Sequence, residues 1–148
     1  MPTMWNEAHR RGLLSRLGAL RADTKPAWGK MNCAEMLAHL NESMKMALGD
    51  LRPKLKNTRL SRFPLKQLVL YVLPWPKGVP TSPELLARGD GAGFDAERAL
   101  LPSLVERLVG RRGAPGWPVH PAFGVLSERA WGFLVWRHMD HHLRQFGA

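Results

Sequence analysis

The sequence predicts an all-α protein that forms one domain. Apolar residues recur at helical spacing in several segments of the 148-residue chain. Asn32 and Ser127 each stand directly before such a segment, where a helix N-cap is expected. The one strand-like run, residues 68–72, has no second run of the same kind with which to pair. We therefore expect four or five packed helices.

The first two helices follow from the signals at their ends. Thr3 is the expected N-cap of a helix that begins near Met4 and ends near Arg21. The sequence Asn32-Cys-Ala-Glu35 has the form of a capping box, in which the Asn side chain serves a free helix N–H and the Glu side chain reaches back. The second helix begins there and ends at Gly49, because glycine readily adopts the left-handed conformation that closes many helices.

A third helix is predicted after Pro64, which suits a first helical turn. It runs through Val72 and is ended by Pro74 and Pro76. A strand is the competing interpretation, since the apolar run is short and rich in β-branched residues.

Two irregular segments surround a fourth helix. Residues 74–94 hold four prolines and four glycines, which is too many for a regular element. Asp95 can cap the following helix, in which Pro102 predicts a kink or a late start. Residues 110–124 form the second irregular segment. The fold is thus expected to carry long loops rich in proline and glycine.

Ser127 caps the last helix, and Glu128 in its first turn complements the helix dipole. One wide stripe of this helix contains three of the six histidines of the chain. The stripe consists of Trp131, Leu134, Val135, His138, His141, His142 and Gln145. A second apolar side holds Trp136, Met139 and Leu143. A helix that is apolar on two sides is predicted to lie at the centre of the fold or to take part in a homodimer contact.

The formal net charge of +10 favours anionic partners. Residues 52–66, here called the basic segment, hold six basic residues and no acidic one. These are Arg52, Lys54, Lys56, Arg59, Arg62 and Lys66. Nucleic acid, membrane lipid and a small anionic cosubstrate are the classes of partner that such charge attracts.

Several classes are excluded or disfavoured by what the sequence lacks. The single cysteine, Cys33, excludes an internal disulfide framework and favours an intracellular protein. The N-terminus does not resemble a signal peptide, and the longest apolar stretch, residues 68–75, is too short to cross a bilayer. A cytoplasmic location without membrane contact is expected. Phosphate-binding glycine loops, paired catalytic carboxylates and a Gly-x-Ser-x-Gly elbow are missing from the sequence.

The histidines carry the strongest chemical signal. His138 and His142 lie one helical turn apart on the same face, so both imidazoles can reach one ion. His39 is predicted to face inward from the second helix. Three imidazoles suit a borderline divalent ion such as zinc, nickel or iron. They would leave coordination positions open for water or substrate, as in catalytic sites.

Other residues near these histidines have less defined roles. His141 flanks the stripe and could replace His142 as a ligand, act as a base, or lie at the surface. Asp140 is predicted to point to the opposite side, outside the ligand set. Glu42, one turn beyond His39, could orient that imidazole or remain solvated. His120 is interpreted as a residue that serves loop structure.

These motifs together resemble the DinB superfamily, in a branch described only as a domain of unknown function. The resemblance extends over most of the chain and is most specific in its last segment. It is carried by Trp28-Gly-Lys-Met-Asn-Cys-Ala-Glu-Met-Leu-Ala-His39, Met46-Ala-Leu-Gly49, Pro80-Thr-Ser-Pro-Glu-Leu85, His120-Pro-Ala-Phe-Gly124 and residues 131–147.

The resemblance implies an up-down-down-up four-helix bundle, often dimeric, with a divalent metal held by three histidines at one end. By motif, His39 corresponds to the ligand on the second helix, and His138 and His142 to the pair on the last helix. Some members of the superfamily are transferases that use a low-molecular-weight thiol, and others resemble metal-dependent hydrolases or isomerases. The name of the superfamily refers to damage inducibility and does not imply DNA binding.

The sequence therefore supports a leading hypothesis and two alternatives. The leading one is a metal-dependent transferase or hydrolase that activates a low-molecular-weight thiol or water for attack on a small electrophile. The basic segment would then receive an anionic cosubstrate such as a thiol tripeptide. The alternatives are a catalytically silent metal- or ligand-binding bundle and a helical module that binds nucleic acid non-specifically through its charge.

Overall fold

The computed structural model describes residues 1–56, 58–75, 77 and 93–148. It is mostly helical, which confirms the all-α class. The helices are α1 (Glu7–Gly18), α2 (Cys33–Leu48), α3 (Leu65–Gln67), α4 (Gly93–Gly110) and α5 (Glu128–Gln145). A two-stranded antiparallel hairpin, β1 (Val119–His120) and β2 (Gly124–Val125), stands before α5.

Helix α1 begins three residues later than the sequence predicts. Asn6, not Thr3, is its N-cap, because the Asn6 side chain accepts a hydrogen bond from the backbone N–H of His9. The preceding turn places Met4 in the core and lets its backbone N–H donate to the carbonyl of Gly132 on α5, at 3.0 Å. The helix ends at Gly18 rather than near Arg21.

Helix α2 has the predicted ends. The Asn32 side chain accepts from the Glu35 backbone N–H at 2.9 Å, and the Glu35 carboxylate accepts from the Asn32 N–H at 2.8 Å. Gly49 closes the helix with a φ of 84°, in the left-handed region that favours glycine. The capping box and the closing glycine could both be predicted from the sequence because they depend only on neighbouring residues.

The segment after Pro64 is helical, as predicted, but not uniformly so. Helix α3 continues into a π-helical turn, Leu68–Val72, and a short 3₁₀ turn, Arg59–Ser61, precedes it. The predicted end at Pro74 agrees with the extended backbone at Leu73. Most of the proline- and glycine-rich segment 74–94, and with it Pro80-Thr-Ser-Pro-Glu-Leu85, lies outside the described residues.

Helix α4 contradicts one of the two effects predicted for Pro102, a late helix start, while the other, a kink, stays a prediction. It runs without interruption from Gly93 to Gly110, with Pro102 inside and Asp95 in its first turn rather than before it. Proline removes one backbone hydrogen bond from a helix, but burial of apolar residues can offset that loss. On α4 the buried residues are Leu101, Leu104, Val105 and Leu108, and this helix packs along α2.

The second irregular segment holds the hairpin, which the sequence did not predict because its strands have only two residues each. Val119 pairs with Val125 and His120 with Gly124. The hairpin leads to Ser127, whose side chain accepts from the Ala130 N–H and caps α5 as predicted.

Helix α5 is buried on both of its apolar sides. It packs against α1 and α2, and Trp131, Met139 and Leu143 are all fully buried. On the second apolar side, the chain itself covers Met139 and Leu143, and Trp136 is partly buried; the homodimer contact stays a prediction. This central position holds the histidine stripe in a fixed orientation against α2.

We predict that Gly132→Ala destabilises the protein although alanine is the better helix former. A Cβ at this position would lie 2.2 Å from the indole Nε1 of Trp5, so the ring would have to move. We expect a loss of about 1–3 kcal/mol in the free energy of unfolding, measured with urea.

The matched control is Gly12→Ala on the exposed side of α1, where an added Cβ meets no atom within 4 Å. This variant should gain about 0.5–1 kcal/mol. Equal effects of the two substitutions would contradict the close approach of Trp5 to α5.

Candidate metal centre

The structure brings together His39, His138 and His142, here called the tri-histidine cluster. Their ring nitrogens lie within 4.8 Å of one another. The Nε2 atom of His138 is 3.0 Å from Nε2 of His39 and 3.0 Å from Nε2 of His142. Helix α2 supplies the first imidazole and α5 the other two, as the sequence predicts. Their role as metal ligands stays a prediction.

Gln145 and the loop before α2 orient the imidazole of His142. The Gln145 side chain donates through Nε2 to the carbonyl of Trp28 at 2.7 Å, which turns its Oε1 toward His142. His142 Nδ1 lies 2.8 Å from that oxygen and must be the protonated nitrogen. The Nε2 lone pair of His142 therefore points into the cluster. Such outer hydrogen bonds commonly fix metal-binding imidazoles.

Gly29 is needed where the loop passes Gln145. Its φ is 85°, and an added Cβ would lie 2.6 Å from the Nε2 atom of the glutamine amide. The backbone N–H of Ala27 also donates to the Gln145 carbonyl, at 2.7 Å. The loop and the end of α5 are thus joined by two hydrogen bonds. Sequence reasoning placed Gln145 on the histidine stripe but missed this orienting role, which its position one turn after His142 could have suggested.

The donor set fits a divalent cation. An imidazole nitrogen carries either one proton or one lone pair, so the single Nε2 position of His138 cannot make a full hydrogen bond to both neighbours. A cation among the three Nε2 atoms would accept all three lone pairs at once. Three neutral imidazoles are ligands that zinc, nickel and iron accept.

Burial keeps the imidazoles of His138 and His142 neutral. It holds the pKa of His138 well below its usual range, and the neighbouring His142 and His39 lower it further. Burial, followed by the proximity of His39, lowers the pKa of His142 to about 3. Neutral rings are the form that can bind a metal ion, so protons compete weakly for this site at neutral pH.

His141 lies beside the tri-histidine cluster and is not one of its three members. Its ring contacts the indoles of Trp28 and Trp75, with centroids 5.9 and 6.0 Å away. Burial is the main cause that lowers its pKa. The structure therefore gives His142, rather than His141, the position in the cluster.

The acidic residues near the histidines have other partners. Asp140 accepts from Arg16 at 2.6 Å and from Arg144 at 3.0 Å, which agrees with its predicted position outside the ligand set. Glu42 pairs with Lys45 at 2.6 Å. Cys33 is fully buried, and burial raises the pKa of its thiol, so its position does not suit a nucleophile.

The cluster lies in the wall of a cavity of about 1000 Å³. Much of the remaining wall is apolar and includes Leu40, Met44, Leu134, Val135, Met139 and Phe123. Trp28, Trp75 and Trp131 also line it, together with His141. A concave apolar site with a few polar groups is the usual form of a small-molecule site.

His120 and Ser43 are polar residues of the same cavity that sequence reasoning did not assign to it. The Nδ1 atom of His120 accepts from the backbone N–H groups of Ala122 and Phe123, both at 3.1 Å. This confirms a structural role for His120 in the loop. Burial, with a smaller contribution from Lys66, lowers its pKa to about 4. Ser43 is one turn beyond His39 on α2.

The basic segment is exposed over most of its described length. The side chains of Arg52, Lys54, Lys56, Arg59 and Arg62 are all exposed. Lys66 is half-buried and donates to the carbonyl of Val125 on β2. The segment is therefore joined to the hairpin that carries His120.

Comparisons of the chain with protein-family models, curated proteins and solved structures found no match. The resemblance to the DinB superfamily thus depends on the residues quoted above. Within the described ranges, 1–56, 58–75, 77 and 93–148, no helix combines the length and apolar composition that a membrane crossing requires.

We predict that the stability of the metal-free protein falls between pH 7 and pH 5, and that His120 contributes to this fall. The pKa of His120 is about 4 in the folded chain against its ordinary value of 6.5. The unfolded chain therefore binds the proton first, and acid favours unfolding. Stability from this group is fully present above pH 6.5 and declines as the pH approaches 4.

His120→Asn should remove this contribution, because the Asn side-chain oxygen can still accept from the two loop N–H groups but does not titrate. Between pH 7 and pH 5 the wild type should lose about 2 kcal/mol more than the variant. Urea unfolding with a chelator present measures the difference. Parallel losses in both proteins would show that His120 is not buried in its neutral form.

Proposed function

We propose that this chain is a metal-dependent enzyme of the DinB superfamily that activates a low-molecular-weight thiol or water for attack on a small electrophile. The observation that carries the proposal is the convergence of the three Nε2 atoms of His39, His138 and His142 in the wall of an apolar cavity. Three protein ligands leave room for an exogenous group, as catalytic metal sites require.

The fold that we propose is the up-down-down-up four-helix bundle of that superfamily. Support comes from the packing of the long helices: α2 lies against α4 and α5, and α1 lies against α5 and α4. Helix α3 has only three residues and is an accessory element. In bundles of this kind, metal sites are built from side chains that face one another across the core.

In this proposal each group of residues has a distinct role. A bound divalent ion would lower the pKa of a coordinated thiol or water and polarise a substrate oxygen. His39, His138 and His142 would hold that ion, and Gln145 would keep the His142 lone pair directed at it. The apolar wall would exclude water and receive the body of the electrophile.

His141 is the candidate for moving a proton. It lines the cavity beside His142, with ring centroids 5.2 Å apart, and is half-buried. Burial lowers its pKa, so the ring is neutral at pH 7 and can accept a proton from an incoming thiol or water. We propose that the exposed cations of the basic segment attract an anionic cosubstrate such as a thiol tripeptide.

Metal binding tests the first half of the proposal. Purified protein should bind one Zn²⁺ or Ni²⁺ per chain in calorimetric titrations. His39→Ala, His138→Ala and His142→Ala should each lose this binding, and Gln145→Leu should weaken it about 10- to 100-fold. His141→Ala, adjacent in sequence but outside the cluster, is the matched control and should retain one ion per chain. Equal affinities in the wild type and His138→Ala would overturn the site.

Turnover tests the second half. The metal-loaded protein should accelerate the displacement of chloride from 1-chloro-2,4-dinitrobenzene by a thiol, or the hydrolysis of an activated ester, and His138→Ala should not. An anionic thiol tripeptide should have a lower KM than neutral 2-mercaptoethanol, and Arg59→Glu with Arg62→Glu should raise only the KM of the tripeptide. Metal binding without any turnover would instead support the catalytically silent binding bundle.

A further inference from the structure

The backbone holds the His120 ring by its Nδ1 atom, and within the described part of the chain its other nitrogen has no partner. The backbone N–H groups of Ala122 and Phe123 both donate to Nδ1, so Nδ1 must carry the lone pair. In a neutral ring the proton then resides on Nε2. The hairpin thus fixes the tautomer of His120.

The environment keeps this tautomer at physiological pH. Because burial lowers the pKa of His120 to about 4, the ring is not protonated at pH 7. The indole of Trp131 and the ring of Phe123 pack beside it, with centroids 5.5 and 4.9 Å away. The imidazole is therefore held in place as a neutral donor.

The Nε2–H group of His120 has no acceptor among the residues that the structure describes. Ser43 presents a similar case. It is 9% exposed, and within the described part of the chain its Oγ has no hydrogen-bond partner. Buried polar groups are normally paired, so the unpaired Ser43 Oγ, which lies in the wall of the same cavity as His120, indicates a missing partner.

We propose that the cavity binds a mainly apolar substrate that carries an oxygen acceptor, and that His120 Nε2–H and Ser43 Oγ donate hydrogen bonds to this oxygen. This inference rests on the proposed function, which identifies the cavity as the substrate site. His120 is then a residue that binds the electrophilic substrate. The class of substrate is an apolar or aromatic molecule with a carbonyl group, rather than an alkyl halide or hydrocarbon that offers no strong acceptor.

A matched pair of probes tests this inference. 2-Acetylnaphthalene and 2-isopropenylnaphthalene have nearly the same shape, but only the ketone offers an oxygen. Calorimetric titration of the full chain, as purified and after chelation, should show that the ketone binds roughly three- to tenfold more tightly than the alkene. The preference should persist in the chelated protein, because it depends on His120 rather than on a metal.

Two substitutions of His120 distinguish the role of its Nδ1 acceptor, which faces the loop, from the role of its Nε2–H donor. His120→Asn keeps an acceptor for the loop N–H groups but lacks the Nε2–H. The ratio of the two affinities should therefore fall toward the value that Ser43 alone supports, because the ketone loses one of its two donors and the alkene loses none. His120→Gln can place an amide N–H near the former Nε2 position and should restore part of the preference. Ser43→Ala should also reduce the ratio, because it removes the second donor to the ketone oxygen. The thermal midpoint of each variant verifies folding.

The outcomes distinguish this inference from the proposed function. An unchanged preference in His120→Asn, or no binding of either probe, overturns the inference. Absence of metal binding or turnover overturns the proposed function and leaves the ratio of the two probe affinities intact. A preference that disappears on chelation assigns the oxygen to the metal, and it also overturns the role of His120.

Discussion

The packing of α2 against α5 is the interaction on which the other features of the site depend. It sets His39 opposite His138 and His142, although about a hundred residues separate them in sequence. Around these polar rings both helices bury apolar residues, such as Met36 and Leu40 on α2 and Met139 and Leu143 on α5. The free energy of that burial offsets the desolvation of the imidazoles, which would otherwise favour their exposure to water. The same desolvation keeps the rings of His138 and His142 neutral and thus able to bind an ion.

The site is supported from outside as well as from within. The loop at Ala27, Trp28 and Gly29 is hydrogen-bonded to Gln145 at the end of α5, and Gln145 in turn orients His142. This arrangement connects the loop before α2 to the last turn of α5, at the level of the cluster. On another part of the cavity wall, the hairpin fixes His120 by its Nδ1 edge. Helix packing positions the cluster, while two short irregular segments determine which nitrogen of His142 and of His120 carries the proton.

The sequence predicts the helix ends and helix faces that depend on neighbouring residues and periodicity. It does not predict the features that depend on contacts between distant residues. The capping box at Asn32, the end of α2 at Gly49 and the cap at Ser127 are local, and all three were predicted. The facing of His138 and His142 follows from one helical turn. The N-cap at Asn6 was missed because Thr3 is also a common capping residue, and the tertiary contact of Met4 decides between them. The late helix start near Pro102 was wrong, since packing of α4 along α2 outweighs one missing hydrogen bond, whereas a kink there stays a prediction. The cavity roles of His120 and Ser43 could not be derived from sequence, because they exist only where the hairpin and α2 line the same space.

The positions of the tryptophans make them intrinsic fluorescence probes of the cavity. Three of the six tryptophans, Trp28, Trp75 and Trp131, line it. The indole of Trp75 is 5.9 Å from the ring of His138, centroid to centroid. At such short range an open-shell ion such as Ni²⁺ quenches indole emission, whereas Zn²⁺, with a filled d shell, does not. An apolar occupant that displaces water from the indoles would instead move the emission to shorter wavelength. Intrinsic fluorescence can therefore distinguish Ni²⁺ in the cluster from a molecule in the cavity without any label.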